Sequence, residues 1–337
     1  MRMVMCLAAM LAVSACGKRP DDHSTGGSGG SGSGEKTDDD PKGPPPPPTV
    51  KTSSKGDCKT DYAPRPKRDP NPMCKVAGGT FVMTDPTYGK DPPSMTVTLS
   101  PYYIDQFEVT VAQVAFYLNA THGEACTEPD MPSHPPCFAV AKPEGERKRG
   151  LFVRKLADGT FQPEPGTERF PYQGASRMGA MNYCKWAGKS LPTEPQWEFA
   201  ARHDPTSGKE LLYPWGDEFD GKRARCMHDL CSDGPDNDEP ALVGTYDGSH
   251  GHADGSSPWG LYDMAGNVTE IVADCLYDYT PCGTAPCKDP APHGPQPKYA
   301  PWCKPITRSG GMSDAQQLRT ISRDTASGVI DGFRCAH

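Results

Sequence analysis

Glu194 and Glu198 stand four residues apart with Trp197 beside them, so any helix carrying them places both carboxylates on one face. Such a pair could divide the roles of general acid and base. The same stretch also reads as a helix entry. Thr193 is followed three residues later by Gln196, the spacing of a capping box, and buried, hydrogen-bonded glutamates near a capped helix start are the reading preferred here. His250 and His252, with Asp247 and Asp254 nearby, point two imidazoles to one side of an extended chain. Imidazoles so placed suit a transition metal, but the surrounding glycines and serines predict an exposed loop, and no site is assigned there. Trp186, Trp197, Trp215 and Trp259 are expected in the core rather than on a ligand platform.

The elements that would position these groups are short. Gly79 to Met83 and Met95 to Leu99 read as strands bounded by turn residues. Val111 to Asn119 and Met178 to Ala187 carry apolar or small residues at helical spacing, and a third helix is expected to begin at Thr193. With 38 prolines and 36 glycines in 337 residues and only 35% hydrophobic residues, turns must dominate the remainder. The net charge of -8, without a lysine and arginine stripe, excludes a nucleic-acid footprint.

At the amino terminus one arginine precedes the apolar stretch Met3 to Val13, which is too short to span a bilayer and reads as a signal peptide over residues 1–15. It ends Val13-Ser14-Ala15-Cys16, which resembles the bacterial lipobox. Cys16 is therefore the expected lipidation site, and the membrane an expected partner through that anchor. Gly17 in place of aspartate favours the outer membrane, so the localisation expected is the cell envelope. Residues 16–57 contain a Gly/Ser run, Gly26 to Gly34, and a proline run, Pro44 to Pro48, with little apolar sequence. They read as a disordered tether ahead of a folded domain over 58–337, its core over 71–337. Of 14 cysteines, setting aside Cys6 and Cys16 leaves an even number in a compartment where disulfides persist. Cys226 with Cys231 and Cys282 with Cys287 are spaced to close small loops, and Cys126 with Cys137 could close the base of a larger one.

Several ordered segments carry a resemblance to a known family. They are Ala77 to Met83 with Tyr103 to Thr110, Tyr183 to Glu194 continuing through Trp197 to Ala200, Tyr213-Pro214-Trp215-Gly216, Gly260 to Glu270, and Gly332-Phe333-Arg334-Cys335 near the end. In order and spacing this set resembles the formylglycine-generating enzyme, or sulfatase-modifying factor, family over roughly residues 71–337. The resemblance implies a disulfide-rich α+β domain, a C-type lectin-like fold with little regular secondary structure. Against the family pattern, residues 124–167 look like an insertion and residues 275–303 look extended.

The resemblance also implies site residues. It places a structural calcium ion on Asp263, Gly266, Val268 and Glu270, side-chain oxygens from the first and last and backbone carbonyls from the middle two, a donor set that suits a hard cation. It joins Cys184 to Cys335. It places a second calcium site around Arg225 to Asp238, where Arg225-Cys226-Met227-His228 departs from the pattern and Asp229, Asp233, Asp236 and Asp238 are read as solvated. Active members of the family carry two cysteines shortly after an Arg-x-Gly-Gly segment, where thiolates bind Cu(I). Here Arg308-Ser309-Gly310-Gly311 is followed by Met312 to Leu318, with Ala315 near the first cysteine position and no cysteine between Cys303 and Cys335.

No catalytic residue is therefore assigned, and copper is not expected. The expected function is a non-catalytic binding or scaffold module for a peptide, a glycan or an envelope protein. The alternatives are a copper-dependent formylglycine-generating oxidase with relocated cysteines, acting on sulfatase cysteine peptides, and an ergothioneine-type oxidoreductase, which would need a histidine-rich iron site that the sequence does not assemble.

Overall fold

Strict alternation makes the segment Gly79–Thr84 a strand: Phe81 and Met83 turn inward while Val82 faces out. It pairs antiparallel with Ser94–Leu99, Phe81 opposite Val97 and Met83 opposite Met95, so the buried side chains of both strands share one face. These are β3 and β4 in a computed structural model that describes residues 43–46, 55–84, 94–123, 137–141, 150–227, 230–231, 239–278, 285–294, 303–326 and 331–337. The chain divides into two units, Met1–Pro41 and Lys42–His337, and every described residue belongs to the second. The segment expected as a signal peptide and Cys16 lie outside the described residues.

In chain order the other elements are β1 (Cys58–Lys59), β2 (Met73–Val76), β5 (Tyr102–Asp105), α1 (Val111–Ala120), β6 (Val153–Lys155), β7 (Phe161–Pro163), α2 (Arg177–Trp186), α3 (Glu194–Arg202), β8 (His203–Asp204), β9 (Lys209–Glu210), β10 (Thr269–Cys275), β11 (Cys287–Lys288), β12 (Pro305–Arg308), β13 (Asp324–Thr325) and β14 (Asp331–Gly332). They form three small sheets, in orders β1-β2-β5, β11-β4-β3 and β13-β12-β10-β14, and two hairpins. Few helices beside many short strands make this the α+β, disulfide-rich architecture expected.

All three expected helices form within one residue of their predicted bounds. Thr110 and Thr193 each close a reciprocal capping box, with Gln113 and Gln196, which satisfies two otherwise orphaned amides at each helix start. Ser176 caps α2 through the Gly179 amide.

Strand β10 is buried along nearly its whole length because both of its faces are covered. Val272 contributes to one hydrophobic cluster, with Trp197, Phe199, Phe81 and Val97. Its neighbours Ile271 and Ala273 contribute to another, with Val114, Tyr183 and Phe333. Disulfides tie this core: Cys58 to Cys74 across β1 and β2, Cys275 to Cys303, Cys226 to Cys231, and Cys184 of α2 to Cys335 near the carboxyl end. Cys137 and Cys287 are disulfide-bonded as well. The Cys184 link spans 151 residues, a closure worth about 5 kcal/mol in the chain-entropy model.

Contacts of the folded unit also involve residues ahead of position 58. Lys55 donates to the Ser256 carbonyl and pairs with Asp254 at 3.6 Å, and a Cβ on Gly56 would collide with the Trp259 carbonyl. Pro44 is buried, and a Cβ on Gly43 would stand 2.8 Å from the Lys67 carbonyl oxygen. Part of the proline run thus belongs to the folded unit. A stiff proline segment gives up little entropy on docking, which composition alone does not disclose. Part of the segment expected as an insertion, 124–167, is also integrated: β6 and β7 pair, and Phe152, Val153 and Phe161 are buried in the second cluster.

Candidate functional site

Arg308 ends β12 fully buried, and three groups receive its guanidinium. Nη1 donates to Glu194 at 2.6 Å, and Nη2 donates to Glu198 at 2.7 Å and to the Thr320 carbonyl at 2.6 Å. Arg323 grips both oxygens of Glu194, and Arg202 reaches Glu198 from one turn along α3. Burial acts to raise Glu194, but the Arg323 and Arg308 charges outweigh it and hold the carboxyl below its usual value. Two carboxylates here face three guanidinia. The pair is a structural clasp that fixes α3 against β12.

Opposite Arg308 in the β10–β12 register stands Glu270. Arg334 binds it bidentately at 2.7 and 2.6 Å, and the Trp197 indole donates to it at 2.9 Å. Arg334 also donates to the carbonyls of Asp105, Gln106 and Tyr262. Glu108, which the sequence did not single out, accepts from the Asn267 side chain and the Val268 amide. Asp263 accepts from the Gly244 amide at 2.7 Å. Gly266 has a φ of +87°, and a Cβ there would meet the Arg225 carbonyl at 2.2 Å, so only glycine fits. Its carbonyl accepts from the Ser309 hydroxyl at 2.8 Å.

Three buried carboxylates therefore surround one guanidinium. Burial pushes Glu108 well above the usual range, and the Asp263 and Glu270 charges push it further. Burial likewise raises Asp263 to about 6. This surplus of buried negative charge and the all-oxygen donor set fit a hard divalent cation, which Asp263, Glu270 and the Gly266 and Val268 carbonyls would hold. Glu270 would have to share its oxygens with Arg334. The carboxylates are not a ready-made cage. Among the described residues, three acid or sulfur ligand atoms converge within 4.8 Å only at Asp69, Asp105 and Cys335. That group is occupied otherwise: Lys189 bonds Asp69 at 2.9 Å and Asp105 at 2.6 Å, and Cys335 is in its disulfide.

Around the other expected calcium site, buried Arg225 donates to the Glu239 carbonyl, and Asp229, Asp233, Asp236 and Asp238 lie outside the described residues. In the histidine loop, His250 bonds Ser249 and His252 packs edge-on against Tyr246. Asp247 and Asp254 cap the local amides of Ser249 and Ser256. The loop is held by these contacts, and among the described residues no third ligand joins the two imidazoles.

Beside these networks opens a cavity of about 670 Å³, between the start of β10 and the segment that follows β12. Asn267, Thr269, Thr307, Ser313, Gln317 and Ser322 give it uncharged polar groups, and Arg323 and Asp324 stand on its wall. Its lining among the described residues holds one sulfur, the Met312 thioether, and no histidine. Where the resemblance would put the first thiolate, the Ala315 carbonyl accepts the Tyr213 hydroxyl at 2.8 Å. Farther along, Thr320 is buried and spends its hydroxyl on the carbonyls of Leu211 and Leu212. All ten described cysteines are in disulfides, so among the described residues there is no free thiol for copper.

Comparison with known proteins agrees with this architecture. The family model of the sulfatase-modifying factor enzyme 1-like domain matches residues 59–336. The formylglycine-generating enzyme of Streptomyces coelicolor is 31% identical over 82% of this chain and 91% of its own length. The inactive C-alpha-formylglycine-generating enzyme 2 of Mus musculus is 30% identical over 78% and 85%. Among solved structures, PvdO from Pseudomonas aeruginosa superposes with a TM-score of 0.54 at 23% identity, over 85% of this chain and 99% of that one, a likeness of fold. The chain belongs to the sulfatase-modifying factor enzyme 1-like domain family.

Proposed function

We propose that this protein is a lipid-anchored, non-catalytic binding module of the cell envelope, which uses the cavity beside β10 and β12 to hold a peptide, a glycan or the loop of an envelope protein. The observation that carries the reading is the cavity's chemistry. It is the size of a ligand site and lined with hydrogen-bonding groups, and among the described residues its lining offers neither thiolate nor imidazole to bind a redox metal. The Mus musculus relative, described as inactive, supports such a role for this fold. Calcium on Asp263, Gly266, Val268 and Glu270 would act structurally, neutralising the buried acids and stiffening one wall of the cavity.

The test is incubation of the purified protein with a sulfatase-motif cysteine peptide, Cu(I) and oxygen, followed by mass spectrometry. No aldehyde is expected, because binding alone cannot supply the missing soft-ligand site that sets the substrate thiolate beside the metal. Turnover by pure protein that disappears on substituting Cys282 or Cys287 would establish the relocated-cysteine oxidase instead. The anchor is tested separately. Metabolic palmitate should label the protein through Cys16, and Cys16→Ser should lose the label; label retained in that variant, or a wholly soluble wild type, refutes the anchor.

A further inference from the structure

Three cations stand together in the segment between β1 and β2. Arg65, Lys67 and Arg68 are all exposed, and among the described residues no carboxylate lies within ion-pair distance of any of them. Asp61 is the exposed carboxylate of the same stretch, so the local balance stays positive.

The loop is built rather than loose. Nη1 of Arg65 and Nη1 of Arg68 both donate to the Trp186 carbonyl, at 3.0 and 3.1 Å, satisfying an orphaned acceptor at the end of α2. The Arg68 guanidinium lies 5.4 Å from the half-buried Trp186 ring, which rests in turn on Phe116 and Tyr117. Directly beneath, Gly43 closes on the Lys67 carbonyl and Pro44 is buried. Fixed cations beside a partly exposed tryptophan match a phospholipid interface, where phosphates meet the charges and an amphipathic ring sits at the headgroup level.

We infer that residues 65–68, with Trp186, form a second membrane contact, an electrostatic dock for anionic phospholipid headgroups. This rests on the proposed anchor for its strength, although the patch itself does not depend on it. Beside an anchor, contacts too weak to recruit a free protein suffice to orient a bound one.

The test uses the mature polypeptide from Gly17, without lipid but with the whole folded unit, in sedimentation with phosphatidylglycerol–phosphatidylcholine vesicles and with pure phosphatidylcholine vesicles. Salt-sensitive binding to the anionic vesicles alone is expected. It should weaken about fivefold for each cation removed, so roughly a hundredfold in the R65S/K67S/R68S variant. Lys67→Glu leaves both hydrogen bonds to Trp186 in place; with an unchanged melting temperature, it should weaken binding by more than fivefold. No binding to anionic vesicles, equal binding to both kinds, or wild-type binding by these variants would overturn the inference. Because this polypeptide has no lipid, failure here is independent of the palmitate result at Cys16.

Discussion

Replacing Arg308 by methionine should destabilise the domain by about 3–5 kcal/mol, the cost of leaving buried carboxylates without their counter-charge. Glu198 and Glu194 lose their bonds to it at 2.7 and 2.6 Å, and the Thr320 carbonyl loses its donor. Urea unfolding of the oxidised protein reads this directly. Adding Glu194→Gln and Glu198→Gln to Arg308→Met should recover part of the loss, because the penalty lies in the orphaned charge rather than in missing attraction. If Arg308→Met costs less than about 1 kcal/mol, the network behaves like a solvated surface cluster instead. The clasp also sets an acid limit. Glu194 has its folded pKa below the usual 4.5, so the native state binds fewer protons than the unfolded chain in that window. Its contribution is complete above about pH 4.5 and disappears as pH falls through the lower folded value; Glu194→Gln should flatten that part of the stability curve.

Calcium should raise the melting temperature of the demetallated domain, by an amount equivalent to about 2.7 kcal/mol when free calcium is a hundred times its dissociation constant. Asp263→Ala should abolish the shift and keep the Glu270–Arg334 pair, so the variant still folds. The effect should depend on pH with a definite sign. Asp263 is raised by burial from 3.8 to about 6, so without metal its ionisation makes the fold less stable as pH rises through that window. Calcium binds the ionised form, so its stabilisation should be largest above pH 6 and fade below it. A melting temperature indifferent to calcium at pH 7.5 would mean that Arg334 and the hydrogen bonds of the loop hold it unaided.

Much of the frame could be read from local sequence because its causes are local. Thr110 with Gln113 and Thr193 with Gln196 place helix starts through contacts three residues long. The alternation in Gly79–Thr84 fixes a strand and its buried face. The family motifs marked the segments that meet at the site, and the resemblance implied the Cys184–Cys335 link that the structure contains.

What the sequence could not assign were the partners of its buried charges. Glu194 and Glu198 read as buried cap residues rather than reactive acids, but their counter-charge Arg308, 114 and 110 positions away, gave no local signal. Glu108 gave no local signal, because its partners Asn267 and Val268 lie 159 and 160 residues distant. Glu270 was read as a cation ligand, and only the fold sets Arg334 against both of its oxygens. Likewise the proline run resembled free tether until Gly43 was found against the Lys67 carbonyl. Capping and alternation depend on neighbours a few residues apart and are written into short spans of sequence. The pairing of buried ions depends on which strands lie side by side and in what register, here Glu270 opposite Arg308 across β10 and β12, and that is decided only when the chain packs.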